Sequence, residues 1–244
     1  MLNALISLAF AGLSCAAPLN ARQVVPHYPP TQLSTGFRLI ANVTDPSKDF
    51  NPPVNNWVFN GIHTGAGSND AVLLPDGTDS GRIFYVNGTA EEVFYGQGST
   101  LTDGGSPPFP FGIYVASEDQ TDADGFHDVS VNVGSGNKGV QLTRFPVVYP
   151  TLKGVGQGTY VACDQKVPYY NANYITVRWT YDTVDPETFL NVHQIPEGCV
   201  AINLVPECAT LNDLPEGSLS SHEFASSSVC YGDVSAIDWT QYGP

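Results

Sequence analysis

The chain has 244 residues, of which 24 are acidic and 9 are basic, so its formal net charge at pH 7 is −15. A charge of this sign and size repels phosphate backbones and anionic lipid surfaces, which excludes nucleic-acid binding and attachment to a membrane surface as functions. A chain of this length can bury roughly 70% of the surface that its unfolded form exposes, which is enough for one large β domain.

The N-terminus has the pattern of a secretory signal peptide. Residues Leu2 to Leu13 are apolar, and Ser14 and Ala16 match the small-residue cleavage pattern, which places the cut after Ala16. This apolar stretch is shorter than the roughly 20 residues of a membrane-spanning helix. Residues 1–16 are therefore predicted to be the signal peptide of a soluble secreted protein, with lipid attachment at Cys15 as the alternative.

Residues 17–35 are predicted to be a Pro-rich N-terminal arm, and residues 36–244 a single β-rich domain. From residue 36 onward apolar and polar residues alternate, which is the period of a β-strand. In the first such stretch, the side chains predicted to face the core are those of Phe37, Leu39, Ala41 and Val43. Further along, Asn87-Gly88 stands between two β-rich runs, which predicts a tight hairpin turn.

The same alternation continues to residue 204. The residues of FGIYVAS and HDVSVNV that are predicted to face the core are Phe111, Ile113, Val115, Val129, Val131 and Val133. In NYITVRWTY, Trp179 shares a face with Ile175 and Val177, which predicts a core tryptophan. The polar stretch 209–228 allows a short helix near Ser220–Ala225. These patterns predict an all-β fold, an antiparallel β-sandwich or barrel with a short helix near the C-terminus.

Four cysteines remain once the signal peptide is removed: Cys163, Cys199, Cys208 and Cys230. An even number in an oxidising compartment predicts two disulfides. The strand pattern after Cys199 carries the chain roughly 17 Å away, too far for Cys208 to return within disulfide distance. The favoured pairs are therefore Cys163–Cys199 and Cys208–Cys230. A zinc site is a poor alternative because no two of these cysteines have metal-binding spacing.

Two sequons, Asn42-Val43-Thr44 and Asn87-Gly88-Thr89, predict N-linked glycosylation in a eukaryotic secreted protein. Strand alternation directs the side chain of Asn42 away from the core, and Asn87 belongs to the predicted turn. Both positions therefore leave room for a glycan in water.

The sequence lacks the common signatures of catalysis. No nucleophile elbow, P-loop or dinucleotide-binding glycine pattern follows a strand, and the HEF stretch at His222 has Ser226 where a zinc protease has its second histidine. We therefore predict no catalytic residue and favour a non-enzymatic role. A glycoside hydrolase stays open as an alternative, because it requires only two carboxylates across a cleft and the sequence cannot pair its many carboxylates.

The segment YYNANYITVRWTY is the most aromatic part of the chain. Tyr169 and Tyr170 precede the strand, and Tyr174 lies on the face opposite Trp179, so these three tyrosines are the candidate ligand-binding residues. Tyrosine suits such a role because it combines an apolar ring with a polar hydroxyl. Another stretch, HTGAGSND from His63 to Asp70, is predicted to be a long glycine-rich connection between strands.

The stretch SEDQTDADGFHD is rich in carboxylates and invites a calcium hypothesis. When it is aligned to the EF-hand pattern, Asp122 and Asp124 occupy ligand positions, but position 12 is Val131 instead of glutamate and both flanks are strands. It is therefore not an EF-hand. A looser calcium site remains a hypothesis, with oxygens from Glu118, Asp119, Asp122, Asp124 or Asp128, and the simpler interpretation is a solvated acidic loop.

The last third of the chain, with GTYVACDQKVPYY and residues 195–244, resembles a family of small secreted proteins of filamentous ascomycete fungi, as does FRLIANVTDP near the mature start. The likeness covers most of the mature chain. It implies fungal origin, secretion and the cysteine pattern. It implies no catalytic or binding residue, because the family has no assigned activity.

The sequence as a whole therefore predicts a secreted, glycosylated, disulfide-linked fungal protein, extracellular or associated with the cell wall and without evident catalytic activity. The expected partners are cell-wall polysaccharide or a host surface, and no cofactor is expected apart from the calcium hypothesis. We expect a monomer. A wall-polysaccharide-binding module and a carboxylate-dependent glycoside hydrolase are the alternatives.

Overall fold

The computed structural model describes residues 28–77, 81–121, 126–144 and 146–242, so the predicted signal peptide lies outside the described residues. The regular secondary structure of the described chain is mostly antiparallel β-strand. Its strands are β1 (Gln32–Ser34), β2 (Gly36–Val43), β3 (Val58–Gly65), β4 (Ser68–Leu74), β5 (Phe84–Asn87), β6 (Ser99–Gly104), β7 (Phe109–Val115), β8 (His127–Val133), β9 (Gly158–Val167), β10 (Ala172–Tyr181), β11 (Thr183–Val184), β12 (Asn191–Val192), β13 (Cys199–Ala209), β14 (Ala225–Ser226) and β15 (Ser228–Cys230). The helices are α1 (Ala90–Phe94) and two 3-10 turns, Pro46–Lys48 and Trp239–Gln241.

The main sheet closes on itself as a barrel, which confirms the predicted all-β antiparallel class. Its strand order is β10-β9-β13-β2-β3-β4-β8-β7-β6-β5-β14. Closure comes from strands that pair with different partners along their length. One edge of β2 pairs with β13, and its other edge pairs with β3 and with β5. One edge of β4 pairs with β3, and its other edge pairs with β8 and with β10.

The inner face of the barrel holds the hydrophobic core. The predicted inward residues of β2 and β7 are all buried: Phe37, Leu39, Ala41, Val43, Phe111, Ile113 and Val115. On β8 the alternation holds for Val129 and Val131, but Val133 is 44% exposed. Val133 is the last residue of β8 and lies beside the β3–β4 turn, where its N–H donates to the carbonyl of Gly67 at 2.9 Å.

Two predicted connections between strands are wrong. Asn87-Gly88 is not a two-residue hairpin turn, because Thr89 caps helix α1 between β5 and β6. The Thr89 side chain accepts from the N–H of Glu92, whose carboxylate accepts from the N–H of Thr89, and this capping box favours a helix start over a turn. The stretch HTGAGSND is not a long connection, because β3 and β4 pair through most of it around a turn at residues 66–67.

The short helical element near the C-terminus is the 3-10 turn Trp239–Gln241, which Asp238 caps. The segment Ser220–Ala225, where the sequence suggested a helix, is not helical. It forms a turn closed by the Ala225 N–H on the His222 carbonyl and then enters β14, which pairs with β5. Pairing with an available strand edge therefore outweighs the weak local helix signal.

Two disulfides, Cys163–Cys199 and Cys208–Cys230, join the strands, and these are the two pairs that the strand-length argument favours. The first links register partners on β9 and β13, and the second links β13 to β15. β15 also pairs with β1, which is the end of the predicted N-terminal arm. None of the helices in the described part of the chain has the length and hydropathy that a membrane-crossing helix requires.

Candidate functional site

The hairpin of β9 and β10 carries an exposed group of aromatic rings at its turn. Tyr169 and Tyr170 lie in the turn, where the Tyr170 N–H donates to the carbonyl of Val167 at 3.2 Å. Asn171 adopts a left-handed conformation with φ of 52°, which asparagine tolerates better than most residues. The turn thus presents two consecutive tyrosines beside Tyr174, which lies on β10.

The structure brings all three predicted tyrosines together and adds His63 of β3. The ring centroids lie 5.6 Å apart for His63 and Tyr169, 5.0 Å for Tyr169 and Tyr170, and 5.5 Å for Tyr170 and Tyr174. We call these four residues the aromatic cluster. The sequence pattern predicts a loop at His63, but His63 lies on β3, and the pairing of β4 with both β3 and β10 brings these strands together.

The aromatic cluster is open to solvent. Tyr169 is 58% exposed and Tyr170 is 41% exposed. Neighbouring rings meet at steep angles, 88° and 71° for the first two contacts, which is the favoured edge-to-face arrangement of aromatic pairs. The cluster therefore offers ring faces and hydroxyl groups to a ligand that approaches along the surface.

A charged cluster lies further along the outer face of β10. The guanidinium of Arg178 donates from Nε to Gln165 Oε1 at 2.9 Å, and its Nη1 lies 3.4 Å from Asp128 Oδ1. Asp70, across the sheet, has a raised pKa because burial penalises its charge. The attraction of Arg178 opposes this effect, and the negative charge of Asp128 adds to it. The sheet register thus places two carboxylates around one buried arginine.

The residues of the calcium hypothesis are not brought into a metal site by the described structure. Asp122 and Asp124 lie outside the described residues. Asp119 accepts from the hydroxyl of Ser117 at 2.5 Å, a hydrogen bond that lowers the pKa of Asp119, and Asp128 is paired with Arg178. Within the described ranges no group of three or more acidic, histidine or cysteine side chains is arranged to hold a metal ion.

His222 has a partner that the sequence did not indicate. Its Nε2 lies 2.7 Å from Asp103 Oδ2, and the buried Tyr85 hydroxyl donates to the other oxygen of Asp103 at 3.2 Å. Burial raises the pKa of Tyr85, and the charge of Asp103 adds to the effect. Both carboxylate oxygens of Asp103 therefore have hydrogen-bond partners, and this network links the segment that contains His222 to β6.

A groove of about 550 Å³ lies at the other end of the β9–β10 hairpin, where β9 begins and β10 ends. Its charged lining residues are Arg144 and Lys153, and its aromatic ones are Phe94, Tyr95, Tyr160 and Trp179. We call it the basic groove. Because its walls come from segments distant in the chain, no local motif could have predicted it.

The two predicted glycosylation sites lie on the barrel surface and remain predictions. Asn42 and Asn87 are both half-buried, at strand positions. The Thr44 hydroxyl donates to the Ala201 carbonyl at 3.2 Å, and the Thr89 hydroxyl belongs to the cap of α1.

Comparison with known proteins gives a family and one relative. Residues 34–208 match the family described as a domain of unknown function, DUF7907. The chain is also 41% identical over 231 residues to "Antigenic protein SchS34" of Stachybotrys chartarum, a match that covers 94% of this chain and 100% of the relative. No solved structure matches the chain. The resemblance to a fungal family without assigned activity is thereby confirmed, and the chain belongs to the DUF7907 family.

Proposed function

We propose that this protein is secreted and glycosylated, acts outside the fungal cell or at its wall, and binds wall polysaccharide through the aromatic cluster. The two disulfides and the fungal relative named as an antigen are consistent with an extracellular location. Disulfides persist in oxidising compartments outside the cytosol.

The observation that carries the proposal is the continuous contact of four rings, which runs from His63 on β3 through the two tyrosines of the exposed turn to Tyr174 on β10. The C–H faces of a pyranose are apolar and stack on aromatic rings, while its hydroxyls exchange hydrogen bonds with tyrosine hydroxyls. Tyrosine is suited to such contacts because one side chain supplies both surfaces.

The setting of the cluster favours a polymer over a small molecule. Small ligands are usually bound in concave pockets that bury most of their surface, whereas the cluster is open. A neutral polysaccharide also avoids the repulsion that a polyanion would meet at a protein with a net charge of −15.

The test is a pull-down of the full secreted protein on insoluble β-glucan and on chitin. We expect the wild type to bind at least one polymer and the Tyr169→Ala/Tyr170→Ala double variant to bind it about tenfold or more weakly, since two exposed stacking surfaces are lost. The matched control is Tyr28→Ala, which removes a tyrosine that is 49% exposed and outside the cluster.

Retained binding by the double variant, or no binding of the wild type to either polymer, would contradict the proposal. Equal loss in the Tyr28→Ala control would also contradict it, because binding would then not depend on the cluster.

A further inference from the structure

We propose that the basic groove is a second binding site, for an anionic amphiphile: a small molecule with an apolar or aromatic body and one carboxylate or comparable anionic head. This inference does not depend on the aromatic cluster or on polysaccharide binding. It rests on the shape of the groove, its charges and the apolar side chains at its rim.

The groove has the size and the fixed walls of a small-molecule site. Its volume of about 550 Å³ falls within the usual range for ligand pockets, roughly 300–1,000 Å³. One wall is a pair of antiparallel segments, residues 141–143 and 151–153. They are joined by hydrogen bonds from the Thr143 N–H to the Thr151 carbonyl at 2.8 Å and from the Lys153 N–H to the Gln141 carbonyl at 2.9 Å.

Trp179 and the glycine-rich start of β9 complete the groove. A Cβ at Gly154 would lie 2.3 Å from the indole ring, and one at Gly158 would lie 2.8 Å from it, so only glycine lets the backbone pack this closely. The indole Nε1–H of Trp179 is buried and has no hydrogen-bond partner within the described ranges. Trp179 thus supplies one large apolar ring to the lining, and its buried indole nitrogen is not exposed at the groove surface.

The charge of this groove is opposite in sign to the net charge of the molecule. Of the described residues that line it, two are cationic, Arg144 and Lys153, and none is acidic, although the protein carries 24 acidic residues. Neither cation makes an ion pair in the part of the chain that the structure describes. By contrast, ion pairs are formed by four other cationic residues: Arg38, Lys48, Lys138 and Arg178.

Two unpaired cations beside one cavity favour an anionic head group, because a charged donor gives a hydrogen bond roughly twice as strong as a neutral one. The side-chain amide of Gln141, which also lines the groove, cannot bind the head group because both of its polar atoms already have partners. Its Oε1 accepts from the Gly98 N–H at 2.7 Å, and its Nε2 donates to the Val93 carbonyl at 3.0 Å.

The rim of the groove supplies apolar surface for the body of the ligand. Phe94 is 73% exposed, Tyr95 is 69% exposed and Val147 is 51% exposed, and all three line the groove. Exposed apolar side chains that adjoin a cavity mark binding sites more often than isolated ones do. Only two cations are present, and the molecule as a whole is strongly acidic, so a polyanion does not fit and a small monoanion does.

The test is calorimetric titration of the full, oxidised protein with dodecanoate and, as the uncharged probe of equal chain length, dodecanol, both below their aggregation concentrations. We expect dodecanoate to bind with one site per chain and dodecanol to bind about tenfold or more weakly, since hydrogen bonds to charged groups are the stronger ones.

Variants locate the site. Arg144→Gln/Lys153→Gln should weaken dodecanoate binding by about tenfold or more and leave dodecanol binding within a factor of two. Phe94→Ala/Tyr95→Ala should weaken both. The matched control is Lys166→Gln, which removes an exposed lysine at the far end of β9, and it should behave as the wild type.

Melting temperatures verify that each variant is folded. We expect the charge variant to fold as the wild type does, because Arg144 and Lys153 are exposed. The proposal is overturned if dodecanoate does not bind at millimolar concentration, if the alcohol binds as tightly as the carboxylate, or if the double charge variant binds dodecanoate as the wild type does.

Discussion

The two ends of the β9–β10 hairpin differ in how they are built. At its turn, the aromatic cluster lies on the outside of the barrel, with the exposed rings of Tyr169 and Tyr170 on a short connection. At the other end, roughly 30 Å away along ten-residue strands, the basic groove lies against Trp179, which belongs to the hydrophobic core. One hairpin therefore connects the aromatic cluster, which lies on the outside of the barrel, to the basic groove, which is built against the core.

This difference predicts how the two ends respond to substitution. Tyr169 and Tyr170 of the cluster are exposed in the turn, so their loss should change binding and not stability. Residues at the bottom of the groove support the barrel, so their loss should change both. The variants below test this contrast, from the largest expected change in the free energy of unfolding to the smallest.

Trp179→Ala should have the largest effect. Trp179 is 3% exposed and packs against Tyr160 with ring centroids 4.8 Å apart, and truncation of a buried tryptophan costs about 3–5 kcal/mol. Urea denaturation monitored by circular dichroism measures the loss. A loss below 1 kcal/mol would show that the groove is not supported by the core.

The second largest loss in the free energy of unfolding is expected when the disulfide between the cluster and the groove is removed. The Cys163→Ala/Cys199→Ala variant opens a link with a sequence separation of 36 residues, which corresponds to about 3–4 kcal/mol of stability. The matched variant Cys208→Ala/Cys230→Ala opens one of 22 residues and should lose slightly less.

Equilibrium unfolding of both cysteine variants gives the comparison. An unchanged midpoint in either would mean that the bridge does not constrain the unfolded chain. Cys163 lies on β9 between the cluster and the groove, so binding at both ends should persist in this variant under conditions where it remains folded.

Gly158→Ala should cost about 1–3 kcal/mol by overpacking. The added Cβ would lie 2.1 Å from the Thr180 carbonyl oxygen and 2.8 Å from the indole of Trp179, so the backbone must move. Gly65→Ala is the control, because its Cβ would meet nothing nearer than Ser68 Cβ at 3.7 Å. Thermal unfolding should separate the two, and equal midpoints would show that the backbone packing on Trp179 tolerates a side chain.

Tyr169→Ala should have the smallest effect on stability, within about 0.5 kcal/mol of the wild type, because its side chain is 58% exposed. The same denaturation experiment measures it. A loss of 2 kcal/mol or more would mean that the cluster supports the barrel, and the contrast between the two ends would fail.

The parts of this structure that sequence could predict depend on local patterns. Alternation predicts core positions for Phe37, Ile113 and Trp179 because side chains two residues apart in a strand share a face, and the structure buries all three. The three tyrosines of the cluster were recognisable because they lie within six residues of one another. The turn at Asn87-Gly88 was mispredicted because the capping signal of Thr89 and Glu92 outweighs the turn signal of the preceding pair.

The rest depends on pairings between distant segments. His63 contacts Tyr169 because the sheet brings β3 close to the β9–β10 turn, and Arg178 contacts Asp128 because β10 pairs with β8. The basic groove combines Phe94, Arg144 and Trp179 from three parts of the chain. No local pattern records which of the many possible strand pairings forms, so these contacts require the fold.

The most direct test of two independent sites at opposite ends of one hairpin is to measure polysaccharide pull-down and dodecanoate titration on the same three proteins: wild type, Tyr169→Ala/Tyr170→Ala and Arg144→Gln/Lys153→Gln. The tyrosine variant should lose polysaccharide binding and keep dodecanoate affinity, and the charge variant should do the reverse. If either variant lost both activities, or neither variant lost its own, the two sites would not be separate as we infer.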